Sequence, residues 1–152
     1  MIRRITAGFL ALFALFILSG CNPKLTVEEY REKLVSCTNK YSSAQMKVAG
    51  SLTADEDGYF NGDITEFEEN CKDFENAMKQ IEEINPPDAY KEQHSRALKA
   101  LDNEREWLEA VRSFTKAKTP DELKEAMDKI ETAANHENSF PRLIFEIVRS
   151  IG

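Results

Sequence analysis

The sequence predicts an all-α protein, an antiparallel up-down bundle of about four helices whose last helix is kinked or split at Pro141. Apolar residues recur three and four positions apart through most of the chain after Thr26, which is typical of helices with one buried face. Capping residues precede these segments, and Gly or Pro residues separate them. The joints after the second and third segments are short, which favours antiparallel neighbours.

The first two helices are predicted from a cap and from two apolar stripes. Helix one begins at a capping box that Thr26 forms with Glu29. Its apolar periodicity is lost between residues 50 and 62. Helix two is predicted to end near Asn85 because two prolines follow. The predicted inner residues are Tyr30, Leu34, Cys37, Tyr41, Ala44 and Val48 in helix one, and Ile64, Phe67, Cys71, Phe74, Met78 and Ile81 in helix two.

The later helices are predicted from proline positions as well as from periodicity. Pro87 opens helix three, and Thr119, Pro120 and Glu122 together signal the start of helix four. The predicted inner residues are Tyr90, His94, Leu98, Leu101, Leu108, Val111 and Phe114, with Trp107 beside them, and then Leu123, Ala126, Met127, Ile130 and Ala133. After Pro141, the apolar residues are too many for one narrow stripe, so we expect some to be exposed.

Residues 1–20 have the features of an export signal. Arg3 and Arg4 precede the apolar run from Phe9 to Leu18, and Ser19 and Gly20 then supply small residues before Cys21. The motif Leu18-Ser19-Gly20-Cys21 resembles a bacterial lipobox, and the resemblance implies cleavage before Cys21 and lipidation of its thiol. The alternatives are an uncleaved signal anchor and an ordinary signal peptide that is cut elsewhere.

The lipobox resemblance also implies a domain organisation and a location. Residues 1–20 would be a lipoprotein signal peptide, residues 21–25 the lipidated Cys21 and a short tether, and residues 26–152 the helical bundle domain. The protein would be lipid-anchored on the extracytoplasmic face of the cell membrane, or in the outer membrane if the cell has two membranes. Two or more acyl chains on Cys21 would make this anchoring stable.

The charge of the chain limits its partners. Removal of Arg3 and Arg4 leaves 18 basic residues against 27 acidic ones, a net charge of −9. Nucleic acids are recognised by clustered Lys and Arg residues, so we expect no nucleic-acid partner. The expected partners are the membrane, through Cys21, and another protein of the cell envelope.

Cys37 and Cys71 fall on the inner stripes of helices one and two. Export from the cytoplasm permits a disulfide between them. If the two helices pair as a hairpin, however, the cysteines lie about seven residues out of level, which is roughly 10 Å along the helices and too far for a bridge. The sequence therefore leaves two alternatives, a Cys37–Cys71 disulfide and two free buried thiols.

The segment from Asp57 to Glu68 resembles an EF-hand calcium loop. Asp57, Asn61, Asp63 and Glu68 stand at positions where such loops have oxygen ligands, and Gly62 stands at the sixth position. The third position departs from the pattern because it is Tyr59. The alternative is a polar loop in which Gly62 makes a turn and Asp63 caps helix two, with Glu66 completing the capping box.

The segment from Pro86 to Leu98 contains a Pro-Pro-x-x-Tyr-x-x-x-His-x-x-Leu pattern. This pattern is similar to one in uncharacterised small helical lipoproteins and secreted bundles of bacteria, and it implies no activity. His94 is expected at a polar edge of the core, and His136 has no metal-type partner at helical spacing.

No nucleophile elbow, phosphate loop or metal-binding box is present in the sequence, so we expect no enzymatic activity and no cofactor. The main hypothesis is a non-enzymatic binding or scaffolding lipoprotein. The second hypothesis is a module that binds or senses calcium or a small ligand at the loop from Asp57 to Glu68. A hydrolase is a third hypothesis, and it would need a site that only folding assembles.

Overall fold

Five α-helices make up most of residues 24–134 and 139–151, which are the residues that the computed structural model describes. They are α1 (Val27–Ser51), α2 (Ile64–Glu82), α3 (Lys91–Lys116), α4 (Pro120–Ala134) and α5 (Phe140–Ile151), and a short 3-10 turn, Asp88–Tyr90, precedes α3. The predicted all-α bundle is confirmed. None of the helices in these two ranges combines the length and the apolar character needed to cross a membrane.

The first two helices form an antiparallel hairpin. The thiol of Cys37 lies 3.9 Å from the carbonyl oxygen of Gln80, and Lys47 Nζ lies 3.6 Å from Asp73 Oδ2. Residues later in α1 therefore contact residues earlier in α2, as in antiparallel helices. The loop between these helices lies at the end of the bundle opposite the start of α1.

The third helix runs antiparallel to α2 and parallel to α1. Arg112 Nη1 lies 2.7 Å from Glu75 Oε1, while Gln45 Nε2 donates a hydrogen bond of 3.1 Å to Glu104 Oε2. Ile84 is buried in the connection between α2 and α3. The start of α1, the α2–α3 connection and the start of α3 therefore share one end of the bundle.

The fourth helical position of the bundle is filled by two helices, α4 and then α5. α4 packs against α3, whereas α5 packs against both α3 and α1. Phe140 contacts Tyr41 in the middle of α1, and Leu143 lies beside Arg96 and Ala100 nearer the start of α3. α5 therefore runs toward the end of the bundle where α1 and α3 begin.

The predicted split of the last helix is confirmed, and its position relative to Pro141 has a simple reason. α4 ends at Ala134 and α5 begins at Phe140, so Pro141 lies in the first turn of α5. Amides in a first turn have no intrahelical partner, so the missing N–H of proline costs nothing there.

An aromatic cluster joins four of the helices at the centre of the core. Tyr41 of α1 has ring centroid distances of 5.1 Å to Phe74 of α2 and 4.8 Å to Phe140 of α5. Trp107 of α3 packs edge-on to Phe74 at 6.0 Å. Large rings that are packed in this way bury much apolar area, so the cluster fixes the relative positions of α1, α2, α3 and α5.

Two predicted helix caps are present in the structure. The backbone amide of Glu29 donates to Thr26 Oγ1 at 3.3 Å, and the amide of Thr26 donates to Glu29 Oε2 at 2.8 Å. Glu122 and Thr119 make the same pair of bonds before α4, at 3.3 Å and 3.1 Å. Each box satisfies amides that would otherwise lack partners at the helix start.

The predicted ends of helices two and three are close to the observed ones, but two predicted core positions are wrong. Helix two ends at Glu82, before the two prolines, and the 3-10 turn after Pro87 leads into the α-helical part of helix three at Lys91. Ile64 and Met127 were expected in the core but are exposed. Ile64 is the first residue of α2, beside the loop, and Met127 belongs to a helix that needs only a narrow apolar stripe because its extensive packing is with α3.

Candidate functional site at the acidic loop

The loop of residues 52–63, which we call the acidic loop, lies at the end of the bundle away from the start of α1. The 25 residues of α1 separate the two ends by about 37 Å, at about 1.5 Å per residue. Between Lys47 and Lys72 the chain has no Lys or Arg, but it has Asp55, Glu56, Asp57, Asp63, Glu66, Glu68 and Glu69. All of these carboxylates are exposed except that of Glu68, which is half-buried.

Asp55 organises the tip of the acidic loop. Its Oδ1 accepts hydrogen bonds from the backbone amides of Asp57 at 3.1 Å and Tyr59 at 2.8 Å. Gly58 has a φ of 87°, a conformation that favours glycine, and its amide donates to the carbonyl oxygen of Asp55 at 3.1 Å. Asp55 was not predicted from the sequence to have this role. An Asp followed three residues later by a Gly is nevertheless typical of a turn, and Asp55 and Gly58 have this spacing.

Phe60 anchors the acidic loop to the core. Its ring centroid lies 5.9 Å from that of Phe67 and 6.4 Å from that of Phe114. Gly62 passes close to this ring: a Cβ atom there would lie 2.9 Å from Phe60 and 2.9 Å from the carbonyl oxygen of Ser51. The anchoring role of Phe60 was not predicted from the sequence either. The feature that indicates this role is a large apolar ring within a polar stretch.

Two of the four predicted calcium ligands have other partners in the structure. Asp63 Oδ1 accepts hydrogen bonds from the amides of Thr65 at 2.8 Å and Glu66 at 3.2 Å, so Asp63 caps α2. Glu68 Oε2 lies 3.4 Å from Nε of Arg112. The cap is the one that the alternative interpretation of this loop predicted.

The remaining two candidate ligands, Asp57 and Asn61, lie within the acidic loop. Asp57 is exposed at the tip of the loop, and the amide of Asn61 donates to the carbonyl oxygen of Thr53 at 3.1 Å. In the part of the chain that the structure describes, no three His, Cys, Asp or Glu residues are grouped so that they could hold a metal ion.

Arg112 gathers three carboxylates between α2 and α3. Its side chain is only 16% exposed, and its guanidinium lies 3.4 Å from Glu68, 2.7 Å from Glu75 and 3.1 Å from Glu109. Burial alone would lower the pKa of Arg112, but the hydrogen bonds with Glu75 and Glu109 outweigh it and raise the pKa. Glu68 is therefore partly neutralised. The exposed lysines at this end are Lys116, Lys118 and Lys124, and the exposed carboxylates of the acidic loop and of the start of α2 outnumber them.

Cys37 and Cys71 are both buried and unbridged, so of the two alternatives the structure has the free thiols, not the disulfide. Cys37 lies at the level of Gln80, nine residues beyond Cys71. That offset is about 13 Å along α2, well beyond the Cα separation of a disulfide. Burial raises the pKa of the Cys71 thiol to about 11, so this thiol is protonated and unreactive at neutral pH. The predicted lipidation site Cys21 and the signal peptide lie outside the described residues.

His94 is buried in the core between α1 and α3, and burial lowers its pKa. Its Nδ1 lies 3.0 Å from the hydroxyl of Tyr30, while its Nε2 is buried without a hydrogen-bond partner. His94 was expected at a polar edge of the core. It lies instead inside the core, paired with Tyr30. His136 lies outside the described residues.

An open cleft of about 580 Å³ lies between α3 and α4. Its charged residues are largely paired within the bundle, as Lys129 is with Glu125 at 2.6 Å. The two hydroxyl groups in the cleft donate to backbone carbonyl oxygens, Ser113 to Glu109 and Thr132 to Asp128, rather than to a base. The cleft is lined by Arg105, Glu106, Glu109, Ala110, Ser113, Glu125, Asp128, Lys129, Thr132 and Ala133. Neither hydroxyl is therefore activated as a nucleophile there.

Comparison of the chain with protein-family models, with curated protein sequences and with solved structures finds no match. We therefore infer the function from the chemistry of the residues and from their positions in the bundle.

Proposed function

We propose that this protein is a membrane-anchored cell-envelope lipoprotein whose helical bundle binds another envelope protein and catalyses no reaction. The observation that carries the proposal is the distribution of charge along the bundle. Seven carboxylates without an intervening Lys or Arg lie between Lys47 and Lys72, at the end of the bundle farthest from the expected anchor. A surface of this kind attracts a partner that presents clustered Lys and Arg residues.

The support for the anchor comes from the sequence and from how the chain enters the bundle. The lipobox-like motif ends at Cys21, three residues before Lys24. Lys24 Nζ lies 2.8 Å from Asp88 Oδ2, and Lys91 Nζ lies 2.6 Å from Asp88 Oδ1. Hydrogen bonds from both lysines lower the pKa of Asp88 to about 2, so Asp88 is ionised at any physiological pH. The tether is thereby joined to the connection between α2 and α3 as well as to α1.

The acidic loop is suited to recognition because its backbone is held in one shape. The side chain of Asp55 and the ring of Phe60 fix the loop, while Glu56 and Asp57 remain exposed. A preorganised loop loses little conformational freedom when it binds a partner. Because exposed charges provide the attraction, the association should be fast at low ionic strength and should weaken as salt is added.

Crosslinking in cells that express the tagged full-length lipoprotein, followed by mass spectrometry, tests this function. We expect a specific envelope protein to be enriched with the wild type and lost with Cys21→Ala, which removes the lipid attachment. Metabolic labelling with a fatty acid should label the wild type and leave Cys21→Ala unlabelled. A wild type that takes up no label would refute the anchor.

A pair of charge-reversal variants tests the acidic end. Glu56→Lys combined with Glu69→Lys reverses two exposed charges at that end. Glu32→Lys combined with Glu92→Lys reverses two exposed charges in the opposite half of the bundle. We expect the first pair to abolish enrichment of the partner and the second to retain it. Equal enrichment with both pairs would refute recognition through the acidic end.

A further inference from the structure

Three exposed apolar side chains lie on α1 and α5 in the half of the bundle where α1 begins. Six large hydrophobic residues are exposed in the described ranges, namely Val27, Val35, Met46, Ile64, Met127 and Phe145. Phe145 on α5 is 66% exposed, although burying an aromatic side chain is strongly favourable. Val27 and Val35 lie on the first half of α1. We call the surface formed by Val27, Val35 and Phe145 the α1–α5 face.

The position of Phe145 on its helix places it away from α3. Leu143 lies on the α3 side of α5, beside Arg96 and Ala100. Phe145 follows two residues later and is therefore rotated by about 200° around the helix. Because α5 packs against both α3 and α1, this rotation turns Phe145 away from the bundle and toward the solvent.

Val35 is also turned away from α2. Cys37 lies on the α2 side of α1, where its thiol meets Gln80. Val35 precedes Cys37 by two residues, so it is rotated by about 200° from this side, and it is 39% exposed. Val27 is about two turns earlier on the same side as Val35. α5 packs against α1 as a neighbouring helix, so the exposed apolar side chains lie on two adjacent helices.

The charge near this face differs from that of the rest of the protein. From Lys24 to Thr38, three basic residues match three acidic ones, and α5 has two arginines against one glutamate. These segments together have a net charge of +1, whereas the chain from Cys21 onward has −9. Arg142 and Arg149 lie three residues before and four residues after Phe145, so they share its side of α5, where Arg142 also pairs with Glu146 at 3.3 Å.

The expected anchor is close to this face. Asn22, Pro23 and Lys24 are the residues between Cys21 and the first residues of the bundle, and three extended residues reach at most about 11 Å. Val27 follows within one helical turn of Lys24, and α5 ends at this same end of the bundle. A lipid attached to Cys21 therefore keeps the α1–α5 face within reach of headgroups.

We propose that the α1–α5 face rests on the surface of the lipid bilayer, with Phe145 in the interfacial layer and Arg142 and Arg149 beside anionic headgroups. This inference rests on the proposed anchoring at Cys21, because one aromatic and two valine side chains give only weak binding by themselves. It goes further than the anchor by giving the bundle a fixed orientation. The α2 side of the bundle and the acidic loop would then remain accessible to a partner.

A reporter at position 145 tests the inference in the intact lipoprotein. Phe145→Cys is labelled with an environment-sensitive fluorophore and reconstituted into vesicles of phosphatidylcholine and phosphatidylglycerol. Cys37 and Cys71 are buried and do not compete for the label. We expect the emission to shift to the blue and to be quenched by lipids with a nitroxide near the headgroup. Met127→Cys, an exposed control on α4, should show neither effect.

The outcomes separate this inference from the anchoring on which it rests. If the lipoprotein floats with the vesicles but the label at position 145 behaves like the label at position 127, the anchor stands and the α1–α5 face is not a membrane contact. If the lipoprotein does not float with the vesicles, the anchoring itself fails. A blue shift without quenching by lipid nitroxide, which grows with protein concentration, would mean that a second copy covers the face and would overturn the inference.

Phe145→Glu gives a second test that does not depend on a label. Phe145 is exposed, so the variant should fold as the wild type does. In the vesicle-bound lipoprotein, we expect the amides of α5 to lose the protection from hydrogen exchange that the bilayer adds, while Met127→Glu retains it. Equal protection in the two variants would contradict the contact.

Discussion

The hydroxyl of Tyr30 and Nδ1 of His94 lie 3.0 Å apart and join α1 to α3 inside the core. The two rings also meet edge-on, with a centroid distance of 5.7 Å. The pair lies at the end of the bundle where the expected tether enters, next to Tyr90. Because His94 Nε2 has no partner among the described residues, protonation would place a positive charge in the core with only one of its two N–H groups, Nδ1–H, paired, through the hydroxyl of Tyr30.

Acid should therefore weaken the bundle through His94. The pKa of His94 is lowered in the folded protein from its ordinary value of 6.5, so the unfolded state binds more protons as the pH falls below that value. We expect the free energy of unfolding to decrease between pH 7 and pH 5, by at most about 1.4 kcal/mol per pH unit for one proton. Denaturant titrations at several pH values measure this slope.

One variant identifies the group responsible for this slope. His94→Gln should flatten the pH dependence between pH 7 and pH 5. The carboxylates with lowered pKa, which include Glu29 and Glu122, take up protons mainly below this range and do not obscure it. A wild-type protein whose stability is constant from pH 7 to pH 5 would contradict the prediction.

Two glycine-to-alanine substitutions should have opposite effects. A Cβ atom at Gly62 would lie 2.9 Å from the Phe60 ring and from the Ser51 carbonyl oxygen, so Gly62→Ala should destabilise the fold by about 1–3 kcal/mol. Gly50 lies in α1 with nothing within 4 Å of such an atom, so Gly50→Ala should stabilise by up to about 1 kcal/mol. Thermal unfolding of both variants measures the two signs, and equal shifts would refute the close contact at Gly62.

Loss of Arg112 should cost more than loss of an exposed lysine. Arg112→Met leaves Glu68, Glu75 and Glu109 without their shared cation, and we expect a loss of about 1–3 kcal/mol because the guanidinium is largely buried. Lys124→Met removes an exposed pair with Asp128 within α4 and should cost much less, because solvent screens this pair. Denaturant titration compares the two, and similar losses would mean that the Arg112 cluster adds little.

The thiols of Cys37 and Cys71 should remain reduced and protected in the folded protein. Both are buried, and their positions along the hairpin prevent a bridge. We expect an alkylating reagent to modify them slowly under native conditions and rapidly in denaturant, without prior reduction. Mass spectrometry counts the modified thiols, and alkylation in denaturant that requires a reductant would show that they are bridged.

Calcium should have little effect on stability. Asp63 is occupied as the cap of α2, and Glu68 lies beside Arg112. We expect millimolar calcium to leave the melting temperature unchanged, since a ligand that binds the folded state would raise it. A rise that Glu68→Gln abolishes would restore the calcium hypothesis for the acidic loop.

Local sequence signals predicted most of the helical architecture. The capping boxes at Thr26 and Thr119 and the stripe from Tyr30 to Val48 depend only on neighbours within a few positions, so they could be identified directly. The ion pair of Glu68 with Arg112 could not, because it depends on the register between α2 and α3. The exposure of Phe145 likewise follows from how α5 packs against two other helices, which periodicity alone does not determine.

The separation of α4 from α1 has a consequence for how the molecule opens. α3 is the one helix with which α4 shares extensive packing in the described ranges, and Ala126 is the fully buried residue of α4, so little apolar area holds it in place. Elements of this kind open at the lowest free energy in native-state exchange. Gly58 of the acidic loop faces Leu123 at the start of α4, so the loop and α4 should loosen together. A partner that binds the acidic loop would then slow amide hydrogen exchange along the whole of α4.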